Sequence, residues 1–269
     1  MSVVMPVYNQ ARTLPAAIES VLGQTLGDFE LIVVDDAADD ATPDVIAAYA
    51  ADDPRVWPVR NATNSRRSPV QWEPRNDGLR LAGGEVIAYL DADNTWRPRY
   101  LERMVGTLSS HPWARLAYCR TRNHHARHRL PRILETDPRT VVDAGTDWVV
   151  FAPDVLDPAE LGATQYIDTN EMVHRPSVFA DLGGLWRTEH PRRAWVNANQ
   201  GSIAPHRRHN DLDLVERIIS RYGVDAVVGI DEVLVDYYYP GAAHPRVIAC
   251  PDAQAFPPAE HDRLVEEAR

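Results

Sequence analysis

The sequence predicts an α/β fold built around a mostly parallel sheet, and two observations support that prediction. Up to about residue 110, short apolar segments typical of buried strands alternate with segments of helical periodicity. Three of the apolar segments end in polar or acidic residues, and open α/β sheets bind their ligands at the carboxyl ends of their strands. With 269 residues, the chain can form one sizeable domain, or one domain with an appended subdomain.

The first part of the chain is predicted to contain four strands with helices between them. Strands are predicted at residues 1–9, 29–36, 55–59 and 86–90, and helices at residues 12–24, 42–51 and 76–82. Leu14, Ile18 and Val21 recur at helical spacing, so one face of the first helix should pack on the sheet. Pro43 suits the first turn of the second helix. Residues 61–74 lack periodicity and are predicted to form a loop.

Beyond residue 120 the alternation of strands and helices fails. Residues 120–165 are predicted to form loops and short strands, with the basic cluster 120–132 on a hairpin or flap. Helices are predicted again at residues 176–182 and 211–222, and the segment from Val233 to Pro240 resembles a strand.

Composition and charge exclude several classes of protein. The formal net charge of −11 argues against nucleic acid as a partner and against electrostatic docking on an anionic membrane. No apolar run approaches the ~20 residues that span a bilayer, and no signal peptide precedes the first strand, so we expect a cytoplasmic protein without a transmembrane segment. Cys119 and Cys250 lack metal-type spacing, which fits a reducing compartment. The chain contains no lysine, which rules out Walker A and pyridoxal-phosphate lysines.

The most informative segment is the run from Val86 to Asn94. Its first five residues are predicted to form a buried strand, and Asp91 and Asp93 follow it with one small residue between them. Two desolvated carboxylates repel each other unless a cation lies between them. A solvated turn or a helix N-cap is the simpler interpretation of an isolated Asp-x-Asp, but here two further strands also end in polar groups. The pattern therefore predicts a hard divalent cation, Mg²⁺ or Mn²⁺, that holds the phosphates of a nucleotide.

Together these segments resemble family 2 glycosyltransferases of the GT-A fold. The resemblance extends from residue 2 to about residue 240, and its motifs follow the family's order. The matching stretches are SVVMPVYNQARTLPAAIESVLGQTLGDFELIVVDDAADDAT, PRNDGLRLAGGEVIAYLDADNTWRPRYLERM, DTNEMVHRPSVFADLGG and NDLDLVERI. The resemblance implies a Rossmann-like, mostly parallel sheet with helices on both faces and a mixed C-terminal acceptor subdomain.

The resemblance also implies a function, a metal-dependent and inverting transfer of sugar from a nucleoside-diphosphate sugar to an acceptor hydroxyl. UDP is the expected donor nucleotide, with GDP and dTDP as alternatives, and the acceptor would be a saccharide, a lipid-linked molecule or a small molecule. Residues 1–119 would form the nucleotide-sugar-binding half, and residues 120–249 the acceptor-binding and catalytic-base half of the same domain. Residues 250–269 would form a C-terminal tail.

The metal site is expected at the Asp-x-Asp motif. By resemblance, Asp93 contacts the Mn²⁺ or Mg²⁺ ion, while Asp91 faces the ribose or reaches the metal through water. His244 is a further candidate ligand, although an isolated histidine is more often a surface or core residue. Three more histidines are interpreted as part of a solvated basic flap over the diphosphate: His124, His125 and His128.

The nucleotide-binding residues follow from the same resemblance. The turn after the first strand, where a ring can stack on the base, contains Pro6, Val7, Tyr8 and Asn9. Asp36 matches the position that accepts a hydrogen bond from the base, while capping of the following turn is its alternative role and suits Asp40 better. Arg75 reaches the base or a phosphate, or else forms a surface salt bridge. Ala92 lies between the two aspartates of the metal motif.

The catalytic base is assigned by resemblance to Asp211, in the segment NDLD, which would deprotonate the acceptor hydroxyl. Asn210 stands where the family has an acidic residue. A helix N-cap is the alternative role for Asp211, and the two roles are compatible because a helix N-terminus keeps a carboxylate ionised. Asn170 and Glu171 are expected to approach the donor sugar or the acceptor. Trp96 either forms the floor under the sugar or packs in the core.

Two other functions compete with this interpretation. The segment LDADNT matches the Asp-x-Asp-x-Thr motif of haloacid-dehalogenase-like phosphatases, with Asp91 and Asp93 as the reacting carboxylates. That motif normally lies near the N-terminus and is followed by a later lysine or arginine, so the phosphatase hypothesis is the weaker one. The other alternative is a sugar-nucleotide-binding homologue that has lost catalysis, which would be favoured if Asp211 pointed away from the cleft.

Overall fold

The sheet and helices follow the predicted alternation in the computed structural model, which describes residues 1–65, 73–137, 139–151, 167–182 and 210–244, apart from the side chains of residues 73 and 210–212. In these residues the strands are β1 Ser2–Val7, β2 Glu30–Asp35, β3 Val56–Arg60, β4 Ile87–Tyr89, β5 Thr95–Trp96, β6 Leu116–His124, β7 Val141–Ala144, β8 Trp148–Phe151, β9 Met172–His174 and β10 Val227–Tyr238. The helices are α1 Leu14–Leu22, α2 Thr42–Asp52, α3 Glu73–Leu81, α4 Tyr100–Ser110, α5 Leu130–Thr136, α6 Ser177–Asp181 and α7 Asn210–Tyr222. Single turns of 3-10 helix cover Thr169–Glu171 and Val224–Ala226.

The strand order in the described residues is β3-β2-β1-β4-β9-β6-β10-β5, with β7 and β8 attached beside β6. Strands β3, β2, β1 and β4 are parallel, and Val7 at the end of β1 lies opposite Asp35 at the end of β2. Strand β9 pairs antiparallel with both β4 and β6, which makes the sheet mixed. Because parallel strands end at the same edge, the residues after β1, β2 and β4 share one rim of the sheet.

Helices cover both faces of the sheet, as predicted. On one face, α1, α2 and α4 bury apolar side chains against alternate residues of β1 such as Val3 and Met5. On the other face, α3, α6 and α7 pack around Val4 and Tyr89. This arrangement buries parallel strands on both sides and explains their nearly continuous apolar sequences.

The first half of the basic cluster at residues 120–132 lies in a strand that pairs antiparallel with β8, so of the two expected alternatives, hairpin or flap, the flap is wrong for these residues. Strand β6 runs through to His124 and is paired along its length with β10. Its basic side chains are neutralised or stacked within the sheet: Arg120 pairs with Asp231, and Arg122 lies over the ring of Trp148. These partners are distant in sequence, so the run of basic residues gave no local indication that it forms a strand.

The expected domain boundary at residues 119 and 120 falls inside β6, so the two halves share a strand as well as a sheet. The expected tail, 250–269, lies outside the described residues. Across the described ranges, no helix combines the length and the apolar content needed to cross a membrane.

Candidate active site

The rim at the ends of β1 and β2 is formed by two tight turns that bind each other. Asn9 and Ala37 both adopt positive φ angles, 51° and 58°, which reverse the chain directly after each strand. The side chain of Asn9 donates to the Asp39 carboxylate, and the Asp39 N–H donates to Asn9 Oδ1 at 2.9 Å. Asp40 accepts from the N–H groups of Ala11 and Thr42, which confirms that capping belongs to Asp40 rather than Asp36.

The predicted nucleotide-binding turn lies at this rim, with unequal exposure of its residues. Pro6 and Tyr8 are half-buried and Asn9 is exposed, so all three are accessible there. Val7 is 3% exposed and Ala92 is 0% exposed. The side chains of Val7 and Ala92 therefore position the turns from inside the core, and a direct contact from either side chain to a nucleotide is excluded in this structure.

Asp36 is buried and already engaged by the chain itself. Its Oδ2 atom accepts from the backbone N–H and the hydroxyl of Ser65 at 2.9 and 2.6 Å, and Asn61 donates to Oδ1 at 3.2 Å. The neighbouring Asp35 binds Arg60 at 2.5 Å, and burial raises the pKa of the Asp35 carboxyl. A base that binds Asp36 would therefore share this carboxylate with the donors from Ser65 and Asn61.

Asp91 is held from two sides. Arg75, on α3, donates to its Oδ1 atom at 2.7 Å, and Asn170 donates to its Oδ2 atom at 3.0 Å. Arg75 also donates to Thr169 Oγ1 at 3.3 Å. The guanidinium of Arg75 thus forms a half-buried ion pair with Asp91, which replaces the expected alternative of a surface salt bridge. Contact of Arg75 with a base or a phosphate stays a prediction.

Asp93 lies in a negative environment. Burial and the charge of Asp91 raise the pKa of the Asp93 carboxyl to about 6, and Asp168 contributes in the same direction. Burial and Asp91 likewise raise the pKa of Asp168. Three carboxylates thus approach one another at the end of β4, and Arg75 pairs with Asp91 among them.

This charge distribution fits a divalent cation. Mg²⁺ is usually bound by one or two carboxylates together with water and substrate phosphates, so a complete cage of protein ligands is not required. In the described residues, no group of three or more histidine, cysteine, aspartate or glutamate side chains forms such a cage. Asp93 could hold the ion, because burial and the charge of Asp91 both disfavour its ionised form and a cation would offset both effects.

His244 contacts the backbone of the Asp-x-Asp motif, residues 91–93. Its Nε2 atom lies 2.9 Å from the backbone oxygen of Asp93, and a carbonyl oxygen only accepts, so Nε2 must carry the proton. Its ring also packs against Tyr238, whose N–H donates to Asn94 Oδ1 at 2.9 Å. In this structure Nε2 is engaged by the Asp93 carbonyl, and this contact and the bond from Tyr238 to Asn94 both hold the turn of residues 91–94. Metal ligation by His244 stays a prediction.

Trp96, Asn170 and Glu171 support the site from within the core, and Trp96 takes the packing role that was one of its two expected roles. Contact of Asn170 or Glu171 with a donor sugar or an acceptor stays a prediction. Trp96 is 4% exposed, stacks on Tyr100 with ring centroids 4.0 Å apart, and donates from Nε1 to the Asn170 backbone oxygen at 2.8 Å. Asn170 is 0% exposed. Glu171 accepts from the Asp168 N–H at 2.8 Å and from the Thr121 hydroxyl.

The catalytic-base candidate lies at the start of α7. Asn210 and Asp211 are the first two residues of this helix, so Asp211 belongs to its first turn. The side chain of Asp211 lies outside the described residues. Asp213, the next carboxylate along, is 5% exposed and pairs with Arg217 at 3.4 Å, which gives it a structural role.

Two residues of the site, Asp168 and Tyr237, were not identified from the sequence. Asp168 and Glu171 form a capping box, and the D-x-x-E spacing is a readable signal of that motif. Tyr237, at the end of β10, has a phenol pKa raised by burial and by the charges of Asp168 and Asp91. No local signal identifies Tyr237, because strand pairing alone brings β10 to this rim.

The mixed sheet and the carboxylates at its rim define the GT-A class of nucleotide-sugar-binding folds. The chain resembles Staphylococcus aureus TarS 1-349, solved in complex with UDP-GlcNAc, with a TM-score of 0.56, 15% identity, and coverage of 90% of this chain and 59% of that one. It also resembles glucosyl-3-phosphoglycerate synthase from Mycobacterium tuberculosis, solved with Mg²⁺ and UDP, with a TM-score of 0.52, 20% identity, and coverage of 91% and 71%.

Sequence comparison identifies the family. Residues 2–142 match Glycosyl transferase family 2. The chain is 39% identical over 279 residues to the putative glycosyltransferase EpsE of Bacillus subtilis (strain 168), covering 96% of this chain and 90% of that protein. The chain therefore belongs to Glycosyl transferase family 2, and the phosphatase hypothesis is wrong. Other curated relatives are matched over only 31% and 30% of their own length.

Proposed function

We propose that this protein is an inverting, metal-dependent glycosyltransferase that moves a sugar from a nucleoside-diphosphate sugar to an acceptor hydroxyl. The observation that carries the proposal is the cluster of Asp91, Asp93 and Asp168 at the end of β4, next to the turn after β1. Membership of Glycosyl transferase family 2 supports the reaction class.

The donor is proposed to be a UDP-sugar, with GDP- and dTDP-sugars as alternatives, and the cofactor to be Mn²⁺ or Mg²⁺. The related folds solved with UDP-GlcNAc and with Mg²⁺ and UDP support this choice. Asp93 would hold the ion, and Tyr8 and Asp36 would receive the base at the neighbouring turns. A bound divalent ion would neutralise the departing diphosphate as a Lewis acid.

The residues of the chain would supply the remaining requirements of the reaction. Asp211 would accept the proton of the acceptor hydroxyl, whose oxygen forms the new bond to the anomeric carbon. The bond from that carbon to the diphosphate breaks, and its electron pair leaves with the diphosphate. Attack opposite the leaving group inverts the anomeric centre. The acceptor would be a saccharide, a lipid-linked molecule or a small molecule.

A thermal-shift screen tests this proposal. UDP-, GDP- and dTDP-sugars are added with Mn²⁺ or with EDTA, because a ligand that binds only the folded protein raises its Tm. We expect one nucleotide to raise the Tm in Mn²⁺ and much less in EDTA, and the Asp93→Asn variant to lose that difference. Equal shifts in Mn²⁺ and EDTA would contradict the metal role.

Measuring turnover distinguishes an active glycosyltransferase from an inactive homologue that only binds the sugar nucleotide. Donor binding with no transfer to any acceptor and no hydrolysis of the donor would favour the inactive sugar-nucleotide-binding homologue. Hydrolysis needs no identified acceptor, since water replaces the hydroxyl, so nucleotide release can be measured before the acceptor is known.

A further inference from the structure

We propose that Asn170 is a positioning residue that sets the orientation of Asp91 at the donor and metal site. This inference rests on the proposed function, since it assigns Asn170 a part in binding the metal and the nucleotide. Asn170 itself is 0% exposed, so it acts through Asp91.

The amide of Asn170 binds Asp91 at both of its polar ends. Asn170 Oδ1 accepts from the Asp91 backbone N–H at 2.6 Å, and Asn170 Nδ2 donates to Asp91 Oδ2 at 3.0 Å. One planar group therefore fixes the main chain and the carboxylate of Asp91 together. With Arg75 on Oδ1 at 2.7 Å, the plane of the Asp91 carboxylate is determined from both sides.

Asn170 also separates two carboxylates that would otherwise repel each other. Its Nδ2 group donates to Asp168 Oδ1 as well as to Asp91 Oδ2. A neutral amide can donate to two carboxylates without adding charge, whereas a second arginine would neutralise the site and weaken its attraction for a cation. The choice of asparagine thus keeps Asp91 and Asp168 close while preserving the negative charge.

The position of Asn170 is itself rigid. Its backbone oxygen accepts from Trp96 Nε1 at 2.8 Å, and its backbone N–H donates to Asp168 Oδ1 at 2.9 Å. The Asp168–Glu171 capping box encloses the residue, and the Thr121 hydroxyl binds the Glu171 carboxylate. Contacts from β5 and β6 and within the 3-10 turn therefore hold the backbone segment that carries Asn170, as expected for a group that orients a site.

Calorimetric titration of UDP, with and without Mn²⁺, tests the inference independently of turnover. Groups that orient metal ligands typically change metal affinity by about 10–100-fold when they are lost. We expect Asn170→Ala to weaken Mn²⁺-dependent UDP binding by about that factor and to change binding in EDTA by less than ~2-fold. Trp96→Phe, which leaves Asn170 intact but removes its Nε1–H anchor, should weaken it in the same direction by less.

Asn123→Ala is the matched control. Asn123 is also a buried asparagine, 7% exposed, but its side chain donates to the Thr121 backbone oxygen, and it contacts neither Asp91 nor Asp168 in the hydrogen bonds of the described residues. This control should keep the Mn²⁺-dependent binding even where it lowers the Tm. Asn170→Ala with wild-type Mn²⁺-dependent affinity would overturn the inference, as would equal losses in Asn170→Ala and Asn123→Ala.

The wild-type titration distinguishes failure of this inference from failure of the proposed function. If Mn²⁺ does not strengthen UDP binding to the wild-type protein, the metal-dependent function fails, and the role of Asn170 fails with it. If Mn²⁺ strengthens binding to the wild type and to Asn170→Ala equally, only the role of Asn170 is overturned.

Discussion

His244 Nε2 donates a hydrogen bond to the backbone oxygen of Asp93 at 2.9 Å. The contact joins the segment after β10 to the turn after β4, two places separated by 151 residues. Together with the bond from the Tyr238 N–H to Asn94 Oδ1, it holds the Asp-x-Asp turn from the side of β10.

This geometry predicts that His244→Gln retains much more function than His244→Ala. A glutamine amide can donate to the Asp93 carbonyl, whereas alanine leaves that oxygen without its donor. The measurement is UDP binding in Mn²⁺ for the two variants. If glutamine and alanine weaken binding equally, metal ligation by the imidazole is favoured over support of the turn.

Asp93→Asn should raise the stability of the metal-free protein while weakening its metal-dependent binding of UDP. Burial and the charge of Asp91 raise the pKa of Asp93 to about 6, so the ionised side chain opposes folding when no metal is bound. The metal-free variant should melt higher than the wild type, by about 2–4 °C for each kcal/mol of repulsion relieved. It should also lose the Mn²⁺-dependent part of UDP binding. A variant with a lower Tm in EDTA would show that Asp93 stabilises the fold.

Asp36→Ala should raise the donor KM more than it lowers kcat. Loss of binding shared by the ground state and the transition state gives that pattern. Ser65→Ala is the control, because it removes one hydroxyl donor from Asp36 and leaves the carboxylate and the Ser65 N–H in place. An unchanged donor KM with a reduced kcat in Asp36→Ala would assign this carboxylate to the chemistry.

Asp211→Asn should lower transfer by ~10²–10⁴, the usual contribution of a positioned general base. Asparagine keeps the size of the side chain but does not accept a proton at neutral pH. Because Asp211 lies in the first turn of α7, loss of its charge should cost only about 0.3–1 kcal/mol through the helix dipole. Donor affinity should be retained, since the proposed donor contacts follow strands of the sheet and do not lie on α7.

Asp213→Asn is the matched control on the same helix. It weakens the pair with Arg217 and should lower the Tm with little direct effect on transfer. Transfer near the wild-type rate in Asp211→Asn would refute the base assignment. Asp213 and Glu171 are poor replacements, because Arg217 binds the first and Thr121 and the Asp168 N–H bind the second.

The contribution of His174 to stability should be lost as the pH falls from about 6.5 to about 4, whereas Asp93, whose pKa is raised to about 6, contributes in the opposite direction over the lower part of that range. His174 is fully buried between Tyr89 and the Arg175 carbonyl, and burial lowers the pKa of its imidazole from 6.5 to about 4. In that window the imidazole of His174 binds a proton in the unfolded chain but not in the folded protein, so this histidine lowers the free energy of unfolding as the pH falls. One such histidine contributes about 3 kcal/mol across the full window.

Urea unfolding at pH 7 and pH 5 measures this dependence. His174→Gln should reduce the difference in unfolding free energy between the two pH values, and His128→Gln, altered at an exposed histidine, is the control. If His174→Gln retains the wild-type difference, other groups govern the acid sensitivity.

Local pattern was sufficient for the first half of the fold. Helical spacing located α1 and α2, and apolar runs located β1, β2 and β4, because these elements bury their own periodic side chains. The same logic failed at β6, where arginines and histidines read as a solvated flap. Those side chains find partners on β8 and β10, and no local pattern records such pairing.

For the candidate site, the sequence located the carboxylates but not their partners. Arg75 was expected at a nucleotide or a surface salt bridge, Asn170 and Glu171 at a donor sugar or an acceptor, and Trp96 under the sugar or in the core. The structure shows Arg75 and Asn170 on Asp91, and Trp96 beneath Asn170. The local sequence around a residue that contacts a ligand resembles the local sequence around a residue that only supports the site. Burial and the direction of hydrogen bonds, which the tertiary structure sets, distinguish the two roles.

The sequence by itself determined the α/β class, the family and the segments that carry acidic residues, because each depends on residues close together in the chain. The tertiary structure alone decided how those residues divide their roles. Asp91 binds Arg75 and Asn170, while Asp93 has a raised pKa among like charges. The physical reason is that a carboxylate's charge state and orientation depend on burial and on neighbours brought from distant strands, and β9 and β10 reach this rim only through sheet pairing.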